Sequence, residues 1–321
     1  MSDLETGLDA IAVETSFSGV VSVDGLEKAY GLADRSHEIA NRVDTQFAIA
    51  SGSKGLTALA VVSLVEDEHL DLSTSARSVL GDDLPLIGDD VTLEHLLSHR
   101  SGIGDYLDEE NEVDLSAYLM PVPVHALATT EQYVAALDAQ PPKFSAGERF
   151  AYCNSGYVVL ALIAERVSGV PFHDLVLERV CGPAGMTDTA FLRSDELPAR
   201  AARGYLLVDG RWRSNIFHLP VRGNGDGGIY TTAADVASLW RALFAGRVVS
   251  EKWVAEMTRR RRERYGLGFW LDERTDDVIL EGCDAGVSFR SVHDPHTGTT
   301  STVISNTTDG AWPLCRYLRD R

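Results

Sequence analysis

The chain has 321 residues, 44% of them apolar, with 48 acidic side chains against 29 basic ones and a formal charge of −19. That length can bury a large core, as one domain or two interleaved parts, and the composition is globular throughout. The acidic balance excludes nucleic acid or an anionic lipid surface as the main partner, because both need a basic face.

In chain order, Met1 to Gly7 shows no basic segment followed by an apolar stretch, so cytoplasmic residence is the expectation. Phe17–Val23 and Leu26–Leu32 alternate around Asp24-Gly25 and read as a β-hairpin. A strand-forming run then stops at Ser51, and a helical pattern runs through Leu56, Leu59, Ala60, Val62 and Leu64 to near His69. From about residue 69 to 200 the pattern is helical and loop-rich. Short capped helices are expected at Thr92–Leu97 and Thr130–Leu137, and a longer one at Asn154–Ser168. Its apolar stretch, Tyr157 to Ala164, is far short of a bilayer span. Thr231–Phe244 opens on a capping-box-like Thr232 and Asp235. Strand signals return at Tyr265–Leu271, Val278–His293 and Thr299–Asn306, with Asp294–Gly298 as a turn, before a short helix at Trp312–Leu318. Strands at both ends of a helical middle imply a single α/β domain over 1–321. Its antiparallel sheet part would cover about 1–68 and 201–321, with a helical insertion over about 69–200 and the two chain ends paired in one sheet.

The segment Phe47-Ala-Ile-Ala-Ser-Gly-Ser-Lys54 carries the chemistry. A serine at the first turn of a helix feels the positive end of the helix dipole, and a lysine three residues on shares its face. A partly desolvated amine can then serve as the base in place of histidine. Ser-x-x-Lys alone usually reads as an N-cap and a surface lysine. Here context decides, since of Lys28, Lys54, Lys143 and Lys252 only Lys54 follows a serine at that spacing. Such a pair needs a proton relay and an oxyanion hole. Tyr152-Cys-Asn154, in a loop opening a helix, supplies a phenol and an amide; the bland reading is a capping Asn beside a packed Tyr.

Together these segments resemble the serine β-lactamase and penicillin-binding-protein superfamily, in the branch of class C β-lactamases, D-aminopeptidases and family VIII esterases. The resemblance is carried in order by Phe47–Lys54, Leu93–Ile103 ending in Leu-Leu-Ser-His-Arg-Ser-Gly-Ile, Pro142–Tyr157, and Gly225–Asp235. It implies the α/β-plus-helical fold, Ser51 as acylated nucleophile, Lys54 as its proton partner, Tyr152 as general base and acid, and Asn154 as a substrate-positioning residue. It also implies the Ser51 N–H as one oxyanion donor.

The family's third motif, Lys-Thr-Gly or His-x-Gly, has two candidate places. His296-Thr-Gly298 matches in letters but sits in a turn. Glu281–Ser291 matches in position, two strands from the end, with Gly286 and Ser288 at suitable offsets. The second is preferred. Glu281 then stands where a cation is usual and Asp284 offers the second oxyanion N–H, so a substrate carboxylate is disfavoured. The competing assignment pairs Glu281 with Arg290 or Arg222.

A Ser–His triad using His95 or His99 has no Gly-x-Ser-x-Gly elbow to support it. No His pair has metal-ligand spacing, and no cofactor is expected. Gly223–Gly228 reads as a tight turn lining the pocket. Cys153, Cys181, Cys283 and Cys315 read as free thiols, with Cys153 and Cys283 near Ser51 as small buried residues. The reading is a serine hydrolase forming an acyl-enzyme on a small-molecule ester or amide. The alternatives are a β-lactamase or D-stereospecific peptidase and, in another class, a silent binding module.

Overall fold

The structure, a computed structural model, describes residues 3–110, 114–261 and 263–321; the first two residues of the amino-terminal stretch read above lie outside them. An amino-terminal helix, α1 (Asp3–Glu14), precedes the hairpin β1 (Gly19–Val23) and β2 (Leu26–Tyr30). Asp24 and Gly25, with φ of 50° and 82°, make the turn that joins them. The Phe47–Lys54 segment leads into α2 (Ser53–Glu66), and Tyr152-Cys-Asn154 leads into α3 (Asn154–Ser168). After α4 (Ala233–Phe244) come β3 (Trp270–Leu271), β4 (Val278–Asp284), β5 (Val287–His293), β6 (Thr300–Ser305) and the closing helix α5 (Ala311–Arg319).

These strands form one antiparallel sheet in the order β2-β1-β6-β5-β4-β3. The two chain ends meet in it, Gly19 opposite Ser305 and Val23 opposite Ser301. Strand side chains alternate between faces, and the core follows that rule. Val20, Leu280, Phe289 and Ile304 join α2, α3 and α4 on one face, whereas Val21, Val23 and Val303 join α1 and α5 on the other. Between α2 and Tyr205 the described residues hold helices and loops but no strand of any sheet.

Helix α2 is the hub. Every residue from Ser53 to Val65 is buried, so it is apolar all round rather than amphipathic. It starts later than the sequence pattern suggests. Ala50–Gly52 form a separate turn of 3₁₀ helix, entered through Ala50 at a φ of 44°, a left-handed conformation that costs a non-glycine residue on the order of 1–2 kcal/mol. Only Phe47–Ala48 of the preceding run is strand, paired with Tyr230–Thr231. Elsewhere, Thr130–Leu137 is a 3₁₀ turn followed by one α-turn, and Val278–His293 is a hairpin turning at Ala285-Gly286. Asp294–Gly298 is the expected turn: Asp294 Oδ1 accepts from the His296 N–H at 2.8 Å, and Gly298 takes φ 75°. Among the described residues no single helix is long and apolar enough to cross a membrane.

Candidate active site

Lys54 is 1% exposed, and its Nζ donates to three oxygens: Ser51 Oγ at 2.9 Å, Asn154 Oδ1 at 2.8 Å and the Asp226 carbonyl at 2.7 Å. Three acceptors match the three N–H donors of an ammonium group. Each arrives by a separate route. Ser51 comes on the 3₁₀ turn before α2, one helical turn below Lys54. Asn154 comes on the first residue of α3, whose N-terminal N–H groups at Asn154 and Ser155 are held by the Asp105 carboxylate at 2.8 and 2.9 Å. Asp226 comes on the Gly223–Gly228 turn, which the Asn224–Gly227 backbone pair closes and the Thr57 hydroxyl ties to α2 through the Gly225 carbonyl.

Tyr152 lies across the same cleft. Its phenol faces the Ser51 side chain, and Lys54 Nζ sits 4.9 Å from its ring centroid. Burial, then the nearby Glu109, push the Tyr152 hydroxyl well above the usual phenol range; the Ser51 side chain opposes them. Trp270 stacks on the outer side of Tyr152 at 6.0 Å and 8°. The cleft has a volume of 390 Å³, with Ser51, Tyr152, Glu109, Trp270, Glu281 and Cys283 in its wall.

The third motif falls one residue earlier than the sequence suggests. A Cβ on Gly282 would stand 2.3 Å from the Ile49 carbonyl oxygen and 2.7 Å from the Ser51 nitrogen, so only glycine lets β4 lie against the Ala50–Gly52 turn. A triplet ending on glycine is therefore Leu280-Glu281-Gly282. Leu280, 2% exposed, stands in the first place, and Glu281 does not. Glu281 instead forms an ion pair with Arg290, directly opposite it on β5. The hairpin register also decides which strand N–H group faces Ser51. Asp284 pairs with Val287 beside the two-residue turn, and N–H directions alternate along a strand. The Asp284 N–H thus faces β5, and the Cys283 N–H faces the Ser51 side. Gly286, at φ 71°, is a turn residue against Gly204 and Tyr205, and neither it nor Asp284 lines the cleft.

The remaining charge is acidic. Glu109 Oε1 accepts from Asn154 Nδ2 at 2.8 Å. Asp226 accepts from the Tyr106 hydroxyl, and burial raises its carboxyl while Lys54 opposes the rise. Asp284 is pushed up to about 7, by burial first and then by Asp226 and Glu109. All four cysteines are free; Cys283 is exposed at the cleft and Cys153 is buried. Among the described residues there is no group of three or more His, Cys, Asp or Glu that could hold a metal. Sequence reasoning missed Glu109, Asp105 and Asp226 as site residues, because carboxylates in loops carry no spacing signal. Only the glycines around Asp226 marked a backbone that approaches closely.

The Beta-lactamase family model matches residues 19–319. The chain is 26% identical to penicillin-binding protein 4* of Bacillus subtilis, over 77% of this chain and 57% of that one. It is 28% identical to the esterase EstB of Burkholderia gladioli, over 75% and 67%. The match thus spans less than two thirds of the length of the first of these curated relatives. Among solved structures, a penicillin-binding protein from Bacillus halodurans superposes with a TM-score of 0.91 at 32% identity, covering 98% of this chain and 99% of that one. A D-amino acid amidase from Ochrobactrum anthropi SV3 shares the fold at a TM-score of 0.80 and 24% identity. The chain belongs to the Beta-lactamase family, and its relatives include a penicillin-binding protein and an esterase.

Proposed function

We propose that the protein is a serine hydrolase that forms an acyl-enzyme at Ser51 on an ester or amide of a small molecule. The observation that carries this reading is the buried Lys54 ammonium donating to Ser51 Oγ, with the Tyr152 ring 4.9 Å from the same Nζ. With all three groups protonated the site holds no base, so the reactive form is the one in which the Lys54–Tyr152 pair has lost one proton to solvent. Ser51 Oγ then attacks the carbonyl carbon and its proton enters the pair. The oxyanion is received by the Ser51 and Cys283 N–H groups, Cys283 replacing Asp284 in that role. Collapse breaks the bond to the leaving group, which takes the proton from the pair. Water repeats the sequence on the ester and releases the acid.

The substrate reading follows from charge. Among the described residues the cleft wall holds Glu109, Glu110 and Glu281 and no lysine or arginine, Lys54 being buried behind Ser51. Arg149 neutralises Glu110 at 2.6 Å and Arg290 neutralises Glu281 from behind, which leaves Glu109 as the charge beside Asn154. An acyl donor that is neutral or carries an amine suits this wall; a carboxylate of the β-lactam kind finds no cation here, because Leu280, which stands where the family places one, is buried in the core. The small-molecule substrate and cytoplasmic site of action belong to the same proposal.

A fluorophosphonate probe tests it. Labelling of the folded protein that Ser51→Ala abolishes supports the hydrolase, and folded protein left unlabelled favours the binding module. A panel of nitrophenyl esters, nitrocefin and D-aminoacyl amides separates the esterase, β-lactamase and peptidase alternatives.

A further inference from the structure

The loop Leu97–Ile103 carries a histidine that the chemistry above does not use. His99 is 1% exposed and adopts a φ of 55°. Its carbonyl accepts from the Ala151 N–H at 2.9 Å, and its Nδ1 accepts from the Cys153 N–H at 3.0 Å. One residue thus holds the backbone on both sides of Tyr152. The imidazole also lies against the Tyr152 ring, with centroids 4.3 Å apart, and is enclosed by Tyr265 at 4.6 Å and Tyr157 at 5.0 Å.

We propose that His99 is the positioning residue for Tyr152, fixing the phenol against Ser51 by bracketing its backbone and backing its ring. The proposal rests on Tyr152 acting with Ser51 as described above.

The hydrogen bonding of the imidazole supports a purpose other than packing. Because Nδ1 accepts, the proton of the neutral ring is on Nε2, and Nε2 is buried without a partner. An unsatisfied buried donor costs about 1–3 kcal/mol. A phenylalanine would fill the same aromatic cage without that cost, but it would leave the Cys153 N–H unpaired. The orphaned Nε2 is therefore tolerated for the acceptor at Nδ1. That acceptor exists only on the neutral ring, since a protonated imidazole would turn a donor against Cys153. Burial first, and the Lys54 ammonium second, hold the pKa of His99 well below the usual histidine range; the Cys153 N–H opposes them. The other titratable groups facing the ring are the hydroxyls of Tyr152 and Tyr157 on the α3 side and of Tyr265 before β3.

Two substitutions separate bracket from ring. His99→Phe keeps an aromatic ring and removes the acceptor. His99→Asn tolerates the left-handed backbone and offers Oδ1 where Nδ1 stood, but loses the ring. The readout is fluorophosphonate acylation of the full chain, resolved into probe affinity KI and maximal rate kinact per active site, with sites counted from the labelling end point. Misplacing a catalytic group by an ångström costs roughly 100-fold. The expected kinact is about 100-fold below wild type for His99→Phe and about tenfold below for His99→Asn, with KI within about twofold. A purely structural histidine would lower the number of competent sites and leave kinact per site unchanged. Per-site rates within about twofold of wild type in both variants would overturn the proposal. Should His99→Phe not fold, His99→Asn decides by the same criterion. Wild-type protein that takes no label at Ser51 would overturn the hydrolase reading itself, a result distinct from equal rates in labelled variants.

Discussion

Gly282 faces the backbone nitrogen of Ser51 so closely that a Cβ at 282 would lie 2.7 Å from it. This contact sets the register of β4 on the Ala50–Gly52 turn, and so decides which N–H group of the strand looks into the cleft.

Gly282→Ala is expected to push the Ala50–Gly52 turn away from β4. The turn is already strained at Ala50, and both sides of the contact are backbone, so no side chain can yield. Acylation of Ser51 should fall by about 100-fold, with an overpacking loss on the order of 1–3 kcal/mol. Fluorophosphonate labelling and urea denaturation report the two effects. A variant that labels at the wild-type rate would mean that β4 does not form the cleft wall.

Lys54→Met keeps the length of a buried side chain but strips the donor from Asn154 Oδ1 and the Asp226 carbonyl. Each orphaned acceptor costs about 1–3 kcal/mol. The variant should lose labelling and unfold at a lower urea concentration. Unchanged stability would show that the lysine head is not the hub the hydrogen bonds describe.

The acylation rate should rise with pH. The reactive form needs one proton removed from the Lys54–Tyr152 pair, and burial with Glu109 makes the phenol hold its proton more tightly than usual. The climb therefore lies on the alkaline side of neutrality. A kinact/KI profile measured from about pH 6 to 10 that is flat or falling would contradict this assignment.

Asp284 gives a second pH effect, on stability. Its folded pKa of about 7 stands above the unfolded value of 3.8, so between them the folded state binds more protons than the unfolded. Its contribution is full below pH 3.8 and is lost as pH rises through about 7. Asp284→Asn should stabilise the protein on the order of 1–3 kcal/mol at about pH 8 and much less at about pH 5. Urea midpoints at the two pH values test the sign.

Glu109→Gln should discriminate among substrates. If an amine on the acyl group rests near Glu109, a glycyl nitrophenyl ester should lose about tenfold in kcat/KM while the acetyl ester is unchanged, as expected for a charge-assisted hydrogen bond. Equal losses for both esters would place the amine elsewhere.

Much of this was legible in residue order. Alternation in Phe17–Val23 and Leu26–Leu32 and the turn chemistry of Asp24-Gly25 mark the hairpin that the structure forms there. Ser51, Lys54, Tyr152 and Asn154 come together across some hundred residues because two helix starts bring them to one point. The register of β4 was not legible. Leu280, Glu281 and Gly282 differ in role only through what lies above the strand, and that is fixed by the Ile49–Ser51 backbone. The α1 helix, which opens the chain, escaped the reading because its apolar face is narrow and pairs only with α5 and the outer sheet. His99 escaped because its task is to accept from a backbone N–H 54 residues away.

The central claim is that Ser51 is the nucleophile served by Lys54 and Tyr152. Intact-protein mass spectrometry after exposure to an acyl-donor library, followed by peptide mapping, tests it most directly. The account predicts one covalent adduct, on Ser51, absent in Ser51→Ala and strongly slowed in Lys54→Met and Tyr152→Phe. Folded protein that gains no mass, or an adduct that persists in Ser51→Ala, would contradict it.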